Sequence, residues 1–224
     1  MLLPIPEVLN PAQLEEVQRL LAEVPFQDGR YSAGKEARIV KQNEEMQQQD
    51  ARYDRLNRIV MRSLVNHPLF QQAALPLRVA SPFYARYRPG MTYGDHVDDP
   101  VMGPMTGRYR SDVSTTVFLN APEDYEGGEL VIRTSYGETR FKGEAGSAVV
   151  YPSHSLHRVD PVTAGERLVA VTWTQSMVRD AARRELLFEL SEAREALLER
   201  APTDPVTAKV SHSYVNLLRM WAEL

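Results

Sequence analysis

The sequence predicts an α+β protein with a double-stranded β-helix (jelly roll) core, N-terminal helices and a C-terminal helical hairpin. Between residues 78 and 177, short runs rich in Val, Thr, Phe and Tyr alternate with Gly, Pro and Asp turns, which is typical of a β-sandwich or barrel. On both sides of this region, apolar residues recur at helical spacing. We therefore expect an N-terminal helical layer packed on the core (1–77), a jelly roll (78–177) and a hairpin (178–224).

The N-terminal part is predicted to contain three helices. The first begins at Asn10-Pro11, an N-cap residue followed by proline at the first helical position. A longer helix is expected from about Glu44. It should end before Pro68, because a residue that precedes proline avoids the helical region. A short helical piece is expected over residues 69–75.

Eight short strands are predicted in the central part, which fits a double-sheet jelly roll. They cover residues 83–88, 96–98, 113–120, 129–133, 138–142, 147–151, 157–159 and 167–174. The segment 99–112 holds two prolines and two glycines and is expected to be a long loop. Because long loops inside compact domains are usually functional or disordered, we interpret it as a substrate lid that includes Arg108, Tyr109 and Arg110. A mobile loop without a role in specificity is the alternative.

The C-terminal part returns to helical periodicity. Leucines recur over residues 183–200, and Asp204-Pro205 starts a second helix that carries Trp221. The apolar stripes of this hairpin indicate either packing on the core or contact with a second copy of the chain. A homo-oligomer is therefore one of two interpretations.

The composition excludes several classes of protein. The chain has 224 residues, 43% of them hydrophobic and 25% charged, as in an ordinary globular protein. The absence of cysteine excludes disulfides and thiolate metal sites, and the net charge of −4 argues against a nucleic-acid-binding surface. No apolar run is long enough for a membrane span, and the start lacks the basic region of a signal peptide. We expect a cytoplasmic protein.

His96 and Asp98 form a candidate pair of metal ligands. If both belong to one strand, their side chains point to the same face. A second imidazole would complete a 2-His-1-carboxylate triad, which leaves open positions on non-haem Fe(II). His154 and His157 are the two candidates. His157 begins an alternating stretch while His154 lies among serines, which favours His157 and leaves His154 as the alternative.

Arg167 and Tyr87 are candidate contacts for an anionic ligand. Arg167 shares one strand face with Val169, Val171 and Trp173 and is expected to point into the sandwich. A buried guanidinium needs an anion, and its planar fork suits a carboxylate. The alternatives are an internal salt bridge or an exposed strand end for Arg167, and an ordinary core position for Tyr87.

The ordered set of these residues resembles a known family. The chain is similar to the Fe(II)/2-oxoglutarate-dependent dioxygenases of the prolyl-hydroxylase-like branch, and in particular to the bacterial PKHD-type hydroxylases associated with iron uptake. The resemblance rests on YRPGMTYGDHVD at 87–98, STTVFLN at 114–120, GGEL at 127–130, Gly146, HRVDPV at 157–162, Gly165, Arg167 and WTQSMVRD at 173–180.

The resemblance implies a set of residue roles. His96, Asp98 and His157 would bind iron, and His154 has no place in the family pattern. Arg167 would hold the distal carboxylate of 2-oxoglutarate, with Tyr87 as a further contact. Asp99-Pro100 after the H-x-D departs from the pattern, which leaves the conformation of the adjoining loop open.

The resemblance also implies the reaction and its cofactors. The enzyme would use Fe(2+), 2-oxoglutarate and O₂, and L-ascorbate (vitamin C) to keep the iron reduced. It would hydroxylate an unidentified substrate, a small molecule or a peptide, with release of succinate and CO₂, in a role linked to iron uptake or homeostasis.

Two other functions fit the same residues. One is a non-catalytic jelly roll that binds a metal or small anion, or senses iron. The other is a cupin-like metalloenzyme that works without 2-oxoglutarate. An intact triad with an intact Arg167 counts against the first, because a sensor need not retain open coordination positions and a cosubstrate clamp. Binding of 2-oxoglutarate to the Fe(II) form would separate the second from the oxygenase.

Overall fold

A computed structural model describes all 224 residues, which form six helices and seventeen strands. The helices are α1 (Pro11–Ala22), α2 (Ala37–Val40), α3 (Tyr53–Asn66), α4 (Pro68–Ala74), α5 (Ala181–Arg200) and α6 (Pro205–Trp221). The strands are β1 (Leu3–Ile5), β2 (Phe26–Asp28), β3 (Lys41–Gln42), β4 (Glu44–Met46), β5 (Pro76–Val79), β6 (Phe83–Tyr87), β7 (Thr92–His96), β8 (Val101–Met102), β9 (Tyr109–Arg110), β10 (Val113–Phe118), β11 (Tyr125–Gly127), β12 (Leu130–Thr134), β13 (Gly137–Phe141), β14 (Ala148–Pro152), β15 (His157–Val159), β16 (Val162–Gly165) and β17 (Arg167–Ser176).

Two antiparallel sheets form the body of the molecule. The larger sheet has the order β1-β14-β10-β17-β6-β4-β2, with β5 also paired to β17. The smaller sheet has the order β13-β12-β15-β7-β3, and β8–β9 and β11–β16 form two separate pairs. These sheets, together with the N-terminal helices and the C-terminal helical pair, confirm the predicted fold class. The first 77 residues supply four strands to the two sheets, and the three-part division of the chain stays a prediction.

Alternation along the central strands directs residues to two different cores. Ala85 and Val169 belong to the apolar cluster shared by the two sheets, whereas their neighbours Tyr84 and Ala170 pack with residues of α1, α3 and α4. Strand side chains alternate between the two faces of a sheet, so the larger sheet is covered by helices on one face and by the smaller sheet on the other. The alternation predicted for Arg167–Trp173 is the one observed.

The prediction of a helix from Glu44 is wrong. Residues Glu44–Met46 form β4, which pairs with β2 and with β6, and α3 begins only at Tyr53. The carboxylate of Asp50 accepts a hydrogen bond of 2.9 Å from the backbone N–H of Arg52, which forms the turn before the helix. Met46 matched the helical period of α3, but pairing with two strands decides its conformation, since tertiary context overrides local propensity.

The C-terminal helices form a hairpin that packs within the chain. The carboxylate of Asp180 caps the start of α5 and that of Asp204 caps α6, where each accepts a backbone N–H. The inner face of the hairpin encloses Leu75 and Leu187, and Trp221 packs against this cluster. The predicted apolar stripe is thus covered largely by the same chain. No helix combines the length and the apolar character that a membrane span requires.

Candidate metal centre

Strand pairing brings His96 and His157 together. β7 and β15 are antiparallel neighbours in the smaller sheet, and His157 lies directly opposite His96 in their register. Opposite residues of an antiparallel pair hold their side chains side by side, and here the two ring centroids are 4.2 Å apart. Both imidazoles are buried, whereas His154 is exposed. The register therefore places His157, and not His154, beside His96.

Asp98 reaches the same point from outside the strand. The predicted strand over 96–98 is wrong, because β7 ends at His96 and Asp98 lies two residues beyond it. Its carboxylate nevertheless turns back, so that Oδ1 lies 3.9 Å from Nε2 of His96 and 3.9 Å from Nε2 of His157. One donor atom of each residue lies within 4.8 Å of the others. Two imidazoles and one carboxylate converging in this way suit a divalent transition metal with open coordination positions.

Backbone carbonyls fix which imidazole nitrogen can bind a metal. Nδ1 of His96 lies 2.8 Å from the carbonyl oxygen of Gly94, and Nδ1 of His157 lies 2.9 Å from that of Ser155. A carbonyl only accepts, so each Nδ1 carries the proton and each Nε2 keeps its lone pair. Burial, followed by the neighbouring His157, lowers the pKa of His96 to about 4. The His96 imidazole is therefore neutral at pH 7 and able to coordinate.

Two serines hold the carboxylate of Asp98. The hydroxyl of Ser114 donates to Oδ2 of Asp98, and its oxygen lies 2.8 Å from the hydroxyl oxygen of Ser153. Because Ser114 has a single hydroxyl proton, Ser153 must donate the second hydrogen bond. Oδ2 is thus occupied, which leaves Oδ1 to face the two imidazoles. The sequence analysis missed both serines, and 39 residues of separation left no local pattern that could reveal them.

The metal donors lie in the wall of a cavity between the sheets. Its volume is 440 Å³, and both Arg167 and Tyr87 also line it. Part of the cavity wall is apolar and aromatic. This part consists of Phe83, Val101, Met102, Tyr109 and Trp173.

Arg167 is a buried cation without an anionic partner. Only 1% of its surface is exposed, no carboxylate lies within 4.0 Å of its guanidinium, and its Nε has no hydrogen-bond partner. The internal salt bridge and the exposed strand end that the sequence left open are therefore both absent. An unpaired charge in such a place is costly, so this wall is suited to a ligand that brings a carboxylate.

Tyr87 lies directly opposite Arg167 in the register of β6 and β17. The guanidinium carbon of Arg167 lies 5.0 Å from the centroid of the Tyr87 ring, within the range of a cation–π contact. Burial raises the pKa of Tyr87 to about 12, so its phenol stays neutral and can donate a hydrogen bond. Tyr87 thus lies beside the cation and faces the same cavity.

The cavity wall has a further polar part that was not predicted from the sequence. The Nζ of Lys41 on β3 lies 2.5 Å from Oε1 of Glu45 on β4, and both side chains are buried at the cavity. Asn43 lies between these two residues in the sequence, and its Oδ1 is buried without a hydrogen-bond partner. The chain crosses from the smaller to the larger sheet at this point. The sequence shows only a charged run, which is typical of a solvated surface.

The lid segment forms a small hairpin rather than an irregular loop. β8 pairs with β9, and Tyr109 lines the cavity. Arg108 is exposed, and its carbonyl accepts a hydrogen bond from Arg78. The Nε of Arg110 turns away to Asp112, at 2.7 Å. Of the three residues predicted for the lid, the structure brings only Tyr109 to the cavity.

Gly128 leaves room for Arg167, and its replacement provides a test of this packing. Its φ is +69°, and a Cβ there would lie 3.1 Å from Cδ of Arg167 and 2.9 Å from a methyl of Val162. We expect Gly128→Ala to lower the free energy of unfolding by about 1–3 kcal/mol, since a non-glycine residue is strained at positive φ. It should also weaken binding of the 2-oxoglutarate that the family resemblance assigns to Arg167, because the Arg167 side chain would be displaced.

Gly90→Ala is the matched control for this substitution. Gly90 has a φ of +86°, but a Cβ there meets nothing within 4 Å. Urea unfolding should show backbone strain in both variants, whereas a 2-oxoglutarate titration should show weaker binding only for Gly128→Ala. Equal affinities in the two variants would contradict the assigned packing.

Comparison with known proteins gives the class of the molecule. Residues 82–175 match the model of the 2OG-Fe(II) oxygenase superfamily, and residues 180–223 match that of the PKHD-type hydroxylase C-terminal domain. A Trichoplax adhaerens prolyl hydroxylase, solved with a hypoxia inducible factor oxygen degradation domain peptide, has a TM-score of 0.59 at 17% identity, over 83% of this chain and 86% of that one. A Pseudomonas putida prolyl-4-hydroxylase has a TM-score of 0.53 at 22% identity, over 78% and 92%. The protein is thus a 2-oxoglutarate- and Fe(II)-dependent oxygenase.

A full-length relative narrows the class further. A PKHD-type hydroxylase of Thioalkalivibrio sulfidiphilus is 58% identical over 224 residues, which is 100% of both chains. The chain belongs to the PKHD-type hydroxylases. The prediction of an enzyme of this family is therefore confirmed, and the non-catalytic alternative is not supported.

Proposed function

We propose that His96, Asp98 and His157 hold the Fe(II) of this hydroxylase and that Arg167 holds the distal carboxylate of 2-oxoglutarate. The observation that carries the assignment is the pairing, in one cavity, of three convergent metal donors with a buried guanidinium that lacks an anion. The carboxylate of the cosubstrate would supply the missing charge. The planar fork of Arg167 can hold it bidentately.

Iron with 2-oxoglutarate supplies the oxidative chemistry, in which O₂ hydroxylates a substrate while the cosubstrate becomes succinate and CO₂. The protein positions the metal and the cosubstrate and shields them from water. Nε2 of His96 and of His157 and Oδ1 of Asp98 would hold the ion, and a set of three protein donors would leave coordination positions for other ligands. Tyr87 supports the cosubstrate carboxylate beside Arg167.

We further propose that the β8–β9 hairpin forms one wall of the substrate site. Met102 and Tyr109 line the cavity from this hairpin, and the aromatic pair Phe83 and Trp173 lines it from the larger sheet. These side chains exclude water from the reacting centre and favour an apolar part of the substrate. Arg108 and Arg110 remain predicted lid residues, and neither lines the cavity in this conformation.

Three further expectations belong to this proposal. L-ascorbate is expected to keep the iron reduced, as the family resemblance implies. The cytoplasm is the expected compartment. A homo-oligomer stays a prediction, which a mass measurement in solution at several protein concentrations can test.

The proposed function is tested by turnover. Protein loaded anaerobically with Fe(II) and 2-oxoglutarate is exposed to O₂ with ascorbate, and succinate is measured with and without candidate substrates. We expect succinate above the level of a His96→Ala control, since that variant lacks one donor. Wild-type protein that makes no more succinate than His96→Ala with any candidate would refute the proposal.

A further inference from the structure

The C-terminal hairpin carries a buried arginine that the reaction does not use. Arg184 on α5 is 4% exposed, and no carboxylate lies within 4.0 Å of its guanidinium. Its Nη1 donates to the carbonyls of Val178 and Arg179 at 2.8 Å each, and its Nη2 donates to that of Asp112 at 3.3 Å. Burying a guanidinium without a carboxylate is costly, so its three carbonyl acceptors fix its position closely.

Asp112 connects this arginine to four other residues. Its carboxylate accepts from Nε of Arg110 on the lid strand at 2.7 Å and from the backbone N–H of Ser176 at 2.9 Å. Its own N–H donates to the carbonyl of Thr174. Its carbonyl accepts from Arg184 and also from the backbone N–H of Ser153, at 3.2 Å. Every polar group of Asp112 is therefore engaged, and its position depends on each partner.

From Ser153 the connection continues to the metal centre. The hydroxyl of Ser153 donates to Ser114, and Ser114 donates to Oδ2 of Asp98. Ser114 and Ser153 are both buried, so water does not compete for these bonds. The resulting series runs from α5 through the carbonyl of Asp112 to the carboxylate that faces the two imidazoles.

We propose that the C-terminal hairpin positions the iron ligand Asp98 through Arg184, Asp112, Ser153 and Ser114. Arg184 is a positioning residue, since it touches neither metal nor substrate. The hairpin thus sets the orientation of Oδ1 and, through Arg110, the position of the lid strand. This inference rests on the proposed metal centre and gives the C-terminal domain a role in metal affinity.

The first test uses the wild-type chain. Coupling is reciprocal, so a hairpin that positions Asp98 must itself be stabilised when metal binds. We expect anaerobic Fe(II) to slow amide hydrogen exchange in residues 183–190 of α5, with little change in α1, which lies on the far side of the larger sheet. Unchanged exchange in α5 when Fe(II) is bound would overturn the inference. Failure of the wild-type chain to bind Fe(II) at all would instead overturn the metal centre itself.

The second test measures Fe(II) affinity by anaerobic calorimetry in full-length variants. Ser114→Ala should weaken binding about 10–100-fold, the usual effect of losing a partner of a metal ligand. Arg184→Met should weaken it about threefold or more, a typical coupling within one hydrogen-bond network. Arg200→Met, an exposed position at the end of the same helix, should leave affinity unchanged.

The double variant distinguishes coupling from loss of stability. With Ser114→Ala present, adding Arg184→Met should weaken Fe(II) binding no further, because Asp98 is already released. Full additivity of the two losses would overturn the inference. Ser153→Ala interrupts the same series without altering the hairpin, so it serves if Arg184→Met does not fold. Its loss of affinity should likewise vanish in the Ser114→Ala background, and a persistent loss would again overturn the inference.

Discussion

Replacing Arg167 by methionine is expected to weaken 2-oxoglutarate binding to the Fe(II) form by about 2–5 kcal/mol, or roughly thirty- to several-thousand-fold in dissociation constant. The distal carboxylate would then enter the cavity without a counter-charge. Metal affinity should stay within about threefold of wild type, since Arg167 is not one of the three donors. A titration of 2-oxoglutarate into the anaerobic Fe(II) protein measures the first quantity, and calorimetry measures the second.

Two further variants show whether charge or geometry carries the binding. Arg167→Lys keeps the charge but loses the planar fork, so its affinity should be intermediate. Arg140→Met on the exposed strand β13 should bind 2-oxoglutarate normally. The protein without ligand should be no less stable with methionine at 167, because a buried cation without an anion is removed. Equal losses of metal and cosubstrate binding in Arg167→Met would show that its assigned role is wrong.

The sequence predicted the strands best where alternation had a physical cause. β15 was predicted with its observed bounds, and the inward face of β17 was predicted from Arg167, Val169, Val171 and Trp173. Each has one face in the cavity wall, so packing enforces the two-residue period. The short strands β3 and β4 were missed, since strands of two or three residues are too short to show a period.

The two errors in the fold have a common origin. Met46 was assigned to α3 because it fits the helical period, and Asp98 was assigned to a strand because it is two residues from His96. Both periods arise by chance in short windows. What places Met46 is pairing of β4 with β2 and β6, and what places Asp98 is the hydrogen bond from Ser114. Neither contact is visible in a local pattern.

The candidate site divides in the same way. His96, Asp98 and Arg167 could be proposed as candidates from residue type and order, because metal ligation and carboxylate binding restrict the choice of side chain. The choice of His157 over His154 rested on the family resemblance. The supports of these residues could not be proposed from the sequence, because Ser114 with Ser153 and Lys41 with Glu45 are defined by partners in space. Serine and lysine occur in many structural roles, so their presence in the sequence does not point to a supporting role at the site.

Substituting His157 by alanine is expected to cause the largest loss. One of three donors disappears, so Fe(II) binding should weaken by more than the roughly 100-fold that loss of an outer partner causes, and succinate formation should fall to the level of a metal-free control. His154→Ala should bind Fe(II) and turn over like the wild type. Calorimetry with Fe(II) and a succinate assay compare the two variants directly.

The pair forms a strict comparison because both histidines lie in one four-residue stretch. His154 is exposed in the turn before β15, whereas His157 begins that strand and lies opposite His96. Although the two histidines are only three residues apart, His154 faces solvent and His157 faces the metal centre. The register of β7 and β15 places His157 there. Loss of Fe(II) binding in His154→Ala, with binding retained in His157→Ala, would mean that β15 pairs in another register. His154 would then replace His157 as the proposed metal ligand.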